Sequence, residues 1–475
     1  MLATRLLNAL GPHAVKVSRE DRAAYSYDAS NDEALPAAVV IPADTRETCI
    51  AVRIANACGE PIIARGAGTG LCGGAVPIRG GLVISFSRMN RLLSLDVANR
   101  RARVQPGLVN LALSQATLPD GLFFGPDPSS QKISTLGGNT STNAGGPHAL
   151  SYGSMNAHVL GLEFVDEDGE VRQASLDDPG YDLVGIQVGA EGTLGILTAI
   201  ELRLLRVPPA VRVAIAAFPD VESASAAVSE IIASGIIPTA LEIMDRVITQ
   251  AVEAHYHTGF PTDAGAVLLI EIAGLPDDVA AFESTIGLLI HRYGALSWRV
   301  ASDASERAAL WASRKNAAAA VGRLAPNYYI QDATVPRTKL PQAMRTVGEI
   351  ARTYRLPVGN VFHAGDGNLH PLLLFDRRLQ RQVDAVHAAG TEILQACIEL
   401  GGTISGEHGI GFEKRESLTY VFSPEDLAAM GRLREALDPA RMFNPDKIFP
   451  SGASCGEVRP NLGFTAKPEA GNTWI

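Results

Sequence analysis

From residue 210 onward the apolar positions follow two rhythms. VRVAIAAF, TALEIM, AVLLIEIAG and LSWRVA are short, β-branched-rich runs that read as strands, whereas VESASAAVSEIIASG and VAAFESTIGLLIHRYG space their apolar residues every three to four positions and read as helices. Strand, helix and strand occur twice in tandem, which predicts a ferredoxin-like α+β layer. Upstream, MLATRLLNAL reads as the first helix, with a cleaved presequence as the lesser reading. Helix TRETCIAVRIANACGE (45–60) leads into strands PIIAR and LVISF, and strands HVLGLEFV and ILTAIELRLL follow. Farther on, ERAALWASRKNAAAAVGR is expected to form one helix, with Trp311, Arg314 and Lys315 near mid-span, and PEDLAAMGRLREALDP another.

Two apolar runs, VGNVFHA and LHPLLLF, flank a Gly-Asp-Gly-Asn cluster. Asp-Gly between such runs predicts a hairpin with a type I′ turn at Asp366 and Gly367. Counting outward places His363 directly opposite His370 on one face, where two imidazoles can share a metal ion. A third ligand is available in GGTISGEHGIGFEK, where Glu407 stands beside His408 among Gly406, Gly409 and Gly411. Taken singly, each piece reads equally well as a solvated histidine, a plain turn or a wet loop. Together they spell a His-His-Glu set of the kind that binds Zn, Mn or Fe. Asn368 is either a left-handed turn residue or a group facing the ligand.

Three glycine-rich tracts are interleaved with the N-terminal strands. The first, GAGTGLCGGAVPIRGG (66–81), has seven glycines in sixteen positions and bares the backbone N–H groups that a pyrophosphate approaches. Gly68, Gly70 and Gly73 spell G-x-G-x-x-G, but a strand rather than a helix follows, so the dinucleotide fingerprint lacks its context. A nicotinamide-dependent dehydrogenase is the rival this argues against. The second tract runs from Gly125 to Ser154 and the third begins at Gly189. None is expected to open a helix of the Rossmann kind, and a ligand lying across three loops favours FAD over a mononucleotide.

Composition narrows the field. A net charge of −10 and a pI near 5.5 argue against nucleic acid. The apolar content, 46% over 475 residues, suffices for two or three domains. Cys49, Cys58, Cys72, Cys397 and Cys455 include no Cys-x-x-Cys pair, which excludes iron–sulfur and thiolate zinc motifs by spacing and fits a reducing compartment. No apolar run reaches eighteen residues. A cytoplasmic location, peripheral to a membrane through partners, is the expectation.

The glycine tracts together resemble the FAD domain of the p-cresol methylhydroxylase and vanillyl-alcohol oxidase type. HAGDGNLH and GEHGIGFEK resemble its FAD-linked D-2-hydroxy-acid dehydrogenase branch, over about residues 35–450. The resemblance implies an α+β chain with three parts: an N-terminal segment plus FAD-binding domain (1–208), a ferredoxin-like cap or substrate domain (209–424), and a C-terminal helical segment returning to the FAD domain (425–475). It implies pyrophosphate contacts from Arg65, Gly66, Gly68, Thr69 and Gly70. Flavin contacts are implied for Pro126, Asp127, Gly137, Gly138, Asn143, Ala144, Gly145, Gly153, Glu191, Gly192, Gly195 and Ile196. The first loop has no histidine to tether the cofactor, so FAD is expected to be non-covalent.

The same resemblance makes Arg314 the clamp for a substrate carboxylate, His363, His370 and Glu407 the ligands of a divalent metal, and His408 the general base. Relatives acting on 2-hydroxyglutarate carry a threonine four residues after this arginine. Ala318 stands there, which points to a small monocarboxylate such as glycolate or D-lactate. The implied reaction is hydride transfer from the 2-hydroxy acid to flavin. Electrons would leave to an iron–sulfur subunit and a second FAD-domain subunit, or to quinone or an electron-transfer flavoprotein. A non-redox ether-lipid synthase on the same scaffold is the remaining alternative.

Overall fold

The structure, a computed structural model, describes residues 1–451. It divides into two compact units: residues 1–207 with the described residues from 407 onward, and residues 208–406. The chain re-enters the first unit at Glu407, earlier than the expected Glu425.

Among the described residues the first unit contains two larger sheets and a two-stranded ribbon that pairs Leu205–Arg206 with Leu122–Phe123. In one, Val15–Lys16, Ala38–Val40, Leu82–Ser85 and Ile62–Arg65 lie in that order, the last three mutually parallel. Ala38–Val40 and Leu82–Ser85 are buried at every position, which is why these strands read as apolar runs without alternation. Helix Thr45–Asn56 starts where the Asp44 side chain accepts the Glu47 N–H, and it buries Thr48, Cys49, Ala51, Val52 and Ala55. Helix Leu2–Leu10 buries Leu2, Leu6 and Leu10 at four-residue spacing. The second sheet is antiparallel, in the order Leu92–Asp96, Arg101–Val104, Ile196–Arg203, Val159–Val165, Val171–Ser175.

The first glycine tract joins two strands with no helix, as its sequence requires. The second holds a short helix that the sequence reading did not include. Thr135 Oγ1 accepts the Gly138 N–H, and a seven-residue helix, Leu136–Thr142, begins inside the tract. Near the C-terminus, a Ser423–Asp426 capping box starts helix Pro424–Leu437. The chain then runs along the edge of the first sheet, where Ile62 donates to Met442 O and Asn444 N donates to Ile62 O, both at 2.8 Å.

The second unit is one seven-stranded antiparallel sheet. Its order is Ser297–Val300, Ala210–Phe218, Ala266–Gly274, Ala240–Asp245, Val358–His363, Pro371–Phe375, Asn327–Ile330. The first four strands have the fourth–first–third–second order of a ferredoxin-like layer, and the histidine hairpin extends that sheet. The helix expected across residues 306–323 is broken. Asn316 leaves helical geometry at ψ 12°, its Nδ2 donates to Ala312 O at 2.7 Å, and the pieces are Ala304–Lys315 and Ala317–Val321. Local side-chain bonding of this kind competes with helix propagation.

Among the described residues, no helix is long and apolar enough to cross a membrane, and Cys49, Cys58, Cys72 and Cys397 form no disulfide. Cys455 lies outside the described residues.

Asp245 joins the layer to the hairpin. Its Oδ1 caps helix Arg246–Tyr256 through the Ile248 N–H, and its Oδ2 accepts the Asn360 N–H at 2.6 Å and Nδ2 at 2.9 Å. Asp245→Ala removes a cap and two buried bonds, and is expected to destabilise the protein by about 2–4 kcal/mol in urea unfolding.

Candidate active site

The hairpin register differs from the sequence expectation. Val358 pairs with Leu373, Gly359 with Leu372, Asn360 with Pro371, and His363 bridges to Asn368. His363 is therefore not opposite His370. The turn spans four residues, Ala364 to Gly367, of which only Gly367 has a left-handed φ, at 80°, so no type I′ turn forms. A neighbouring segment sets this geometry: Val335 N donates to Gly367 O at 3.0 Å, Leu369 N donates to Ala333 O at 2.8 Å, and a side chain on Gly367 would collide with Val335 O. Asn368 consequently lies in the ladder rather than at a left-handed turn position, buried, with its Oδ1 unpartnered.

The slip is two residues, so strand parity is kept and both imidazoles remain on one face. Their centroids are 5.0 Å apart and the rings are nearly perpendicular, with ligand atoms within 4.8 Å of one another.

Each ring is held by a buried carboxylate that the sequence reading missed. Glu242, directly across the ladder from His363, places its two oxygens 2.8 and 2.9 Å from His363 Nδ1. It is fully buried and also ion-pairs with Arg314 Nη2. Asp332 Oδ1 lies 3.2 Å from His370 Nε2, while its Oδ2 accepts Ser405 Oγ at 2.8 Å and the Gly406 N–H at 3.1 Å. A histidine whose one nitrogen is fixed by a carboxylate presents the other as a ligand. That is Nε2 for His363 and Nδ1 for His370.

Arg314, 4% exposed, sits at the end of its helix with Nε lacking a hydrogen-bond partner. The second unit thus brings together His363, His370 and Arg314. Glu407 and His408 follow Gly406 directly and open the returning segment of the first unit.

In that first unit, the Glu407 carboxylate stands beside the second glycine tract: a Cβ built on Gly145 would lie 3.2 Å from its Oε2. The three tracts converge. An added side chain at Gly66 would strike Thr135, with Gly138 Cα at 3.7 Å. Gly189 donates to Thr140 O at 2.9 Å and Glu191 N to Ser141 O at 2.7 Å, while Gly192, at φ 70°, faces Ala64. Arg65 folds beneath Gly68 and donates to Tyr27 O at 2.6 Å, and Gly70 O accepts the Ala29 N–H, leaving Thr69 between them on the loop.

Pro126 O accepts Asn110 Nδ2, and Asp127 N donates to Gly145 O. The Asp127 side chain is taken up by His148, at 2.7 Å from Nδ1, so what it offers a ligand is backbone. Gly137 donates to Pro106 O at 2.7 Å. Asn143 is left-handed at φ 52°, its Oδ1 accepting Ser154 Oγ and Asn156 N, and Ala144 O accepts Met155 N beside Gly153. Gly195 turns the chain at φ 137° into Ile196, whose side chain is wholly in the core. Glu191 turns its carboxylate to Ile410 N at 2.7 Å and Gly411 N at 2.8 Å. Burial pushes that carboxyl up, and the two N–H groups oppose the shift.

Comparison with known proteins identifies the family. Residues 36–175 match the family described as "FAD binding domain", and residues 207–448 match "FAD linked oxidases, C-terminal domain". The chain is 40% identical over 462 residues to "Glycolate oxidase subunit GlcD" of Escherichia coli K12, covering 96% of this chain and 93% of that one. It is 31% identical over 463 residues to "D-lactate dehydrogenase" of Anaerostipes hadrus, covering 92% and 95%. Among solved structures, p-cresol methylhydroxylase superposes with a TM-score of 0.80 at 15% identity, covering 94% of this chain and 96% of that one, which shows the shared FAD-domain architecture. With bared-backbone loops in one unit, a histidine pair in the other and family models spanning both, the chain belongs to the FAD-linked oxidases.

Proposed function

We propose that this protein oxidises a small D-2-hydroxy acid, glycolate or D-lactate, to the 2-oxo acid, with FAD as acceptor and a divalent cation on His363, His370 and Glu407. The observation that carries the reading is the buried cluster in the second unit: two imidazoles, each braced by a carboxylate, beside an arginine with an unpartnered Nε. Arg65, Gly66, Gly68, Thr69 and Gly70 would receive the pyrophosphate, and the second and third tracts the flavin. The half-buried Gly66, Gly68, Thr69 and Gly70 of the first tract, with little or no side chain over the backbone, fit such a ligand. The donor set of two imidazoles and a carboxylate fits Zn, Mn or Fe.

When bound, FAD supplies a hydride acceptor, and the cation supplies positive charge that lowers the pKa of a nearby hydroxyl. The protein's own part is orientation and proton transfer. Arg314 receives the substrate carboxylate through its buried Nε, a charge-assisted bond in a dry environment. Glu242 holds that guanidinium and His363 in fixed relation, so the carboxylate end of the substrate and one metal ligand share an anchor. Asp332 does the same for His370 and the backbone at 405–406, one peptide bond before Glu407. His408 takes the hydroxyl proton at an imidazole nitrogen, work suited to a group with an ordinary pKa near 6.5. Ala318 offers no second polar group toward a longer diacid. Electrons leave to an external acceptor, a sister iron–sulfur subunit with a second FAD-domain subunit, or a quinone or electron-transfer flavoprotein.

Anaerobic mixing with a panel of D- and L-2-hydroxy acids tests the assignment. D-lactate or glycolate is expected to bleach the flavin band near 450 nm, prior chelation to suppress bleaching, and L-lactate to leave the band intact. Bleaching by no member of the panel removes the hydroxy-acid reading.

His408→Ala is expected to lower turnover by about 10²–10⁴-fold with the bound-flavin spectrum unaltered; unchanged turnover takes it out of the proton-transfer role. Glu242→Gln and Asp332→Asn are each expected to weaken metal affinity about 10–100-fold in a chelator competition, with full FAD content retained.

A further inference from the structure

The first glycine loop is gripped from behind by a segment to which the reading above gives no role. Asn444 Nδ2 donates to Gly74 O at 2.9 Å and to Glu191 O at 2.8 Å, so one amide ties the first tract to the third. Lys447, only 1% exposed, donates through Nζ to Val76 O at 2.7 Å and to Gly73 O. A trans peptide that turns its carbonyl toward Lys447 directs its N–H to the other side, so capture of Gly73 O aims the Gly74 N–H away from the lysine.

The segment itself is costly to hold. Arg441, Asn444, Asp446 and Ile448 all have left-handed φ, from 40° to 69°, and Ile448 is β-branched. Four such residues in eight persist only where surrounding contacts over-determine them. Those contacts are visible: Arg434 donates to Phe443 O at 2.8 Å and Lys447 O at 3.4 Å, and Phe443 is wholly buried.

We propose that Asn444 and Lys447 are positioning residues for FAD, fixing the first glycine loop in the shape that receives the pyrophosphate and tying it to the third tract. A buried ammonium behind the loop also adds positive potential at an anion site. The charged groups facing it are Asp28, Asp32, Glu191 and Arg415.

The inference rests on the reading that the pyrophosphate lies on Gly66–Gly70, so the test includes a variant that probes that reading alone. Gly70 lies outside the left-handed region, and an added Cβ there meets only Asp28 Oδ2, at 3.9 Å. Gly70→Ala is thus tolerated by the chain and obstructs only a ligand pressed against the loop.

Full-length protein stripped of FAD is titrated with FAD by flavin fluorescence, and the melting of each apoprotein is recorded. Lys447→Met and Asn444→Ala are expected to raise the FAD Kd about tenfold or more, and Gly70→Ala to raise it as well. Burial holds the Lys447 ammonium down to about 8. Below that pH it is charged and bonded; above it the proton is lost. Wild-type affinity is therefore expected to fall as pH rises past about 8, a decline that Lys447→Met lacks.

A raised Kd for Gly70→Ala alone overturns the proposal and leaves the loop reading standing, as does loss of apoprotein stability in the other two with Kd unchanged. No change in any of the three overturns the loop reading and the proposal with it. If Lys447→Met fails to fold, Asn444→Ala and the wild-type pH profile decide.

Discussion

Charge neutralisation inside a dry protein is the constraint on which the candidate site depends. Glu242 and Asp332 are wholly removed from solvent, and an ionised carboxylate so placed persists only with close, well-bonded partners. Each fixes a histidine together with the next component of the site: Glu242 sets both oxygens against His363 and one of them also against Arg314, while Asp332 gives Oδ1 to His370 and Oδ2 to the Ser405–Gly406 turn. The imidazoles, the guanidinium and the Ser405–Gly406 turn are therefore not independently placed. Deleting either carboxylate strands buried donors in two places at once, which is why such a network rigidifies when complete and fails as a unit when broken.

Parity explains why the sequence located the histidine pair while misplacing the turn. Side chains on a strand alternate with period two, so a register error of two residues leaves every side chain on its face. The Asp-Gly signal suggested a two-residue turn, and Val335 and Ala333 imposed a four-residue one. His363 and His370 moved from direct to diagonal neighbours and still meet. An error of one residue would have put one ring in the opposite layer. The ferredoxin-like order was legible for a related reason: strand–helix–strand repeats are local patterns, and local patterns survive translation into three dimensions.

What escaped the sequence reading was set by distance along the chain. Glu242 sits in ALEIM as one acid in an apolar strand, and its partner His363 lies 121 residues away. Asp332 meets Gly406 across 74 residues, and Lys447 meets Gly73 across 374. Nothing in the neighbourhood of these residues announces such partners. A usable signal did exist, since an acid at a core-parity position of an apolar strand must be paired, but it says only that a partner exists. The helix within the second glycine tract lay outside the sequence reading because Gly, Asn, Ser and Thr are weak helix formers, and it begins where the Thr135 side chain caps the Gly138 N–H. Asn316 broke a helix that alanine-rich surroundings favoured, through a bond to the carbonyl four residues back.

The glycine loops and the buried charges have one explanation. A loop that must present backbone to a ligand cannot carry side chains to hold itself, so its conformation has to be imposed from outside. Here the imposing groups are buried polar residues: Lys447 and Asn444 on the carbonyls of the first tract, Glu191 on the N–H groups of Ile410 and Gly411, and Asp332 on that of Gly406. The peptide from Gly406 to Gly411 shows the consequence for chemistry. Its first residue is fixed by Asp332 and its last two by Glu191, and between those anchors stand Glu407 and His408. The backbone that carries Glu407 and His408 is therefore bonded by one buried carboxylate immediately before them and by another two residues after.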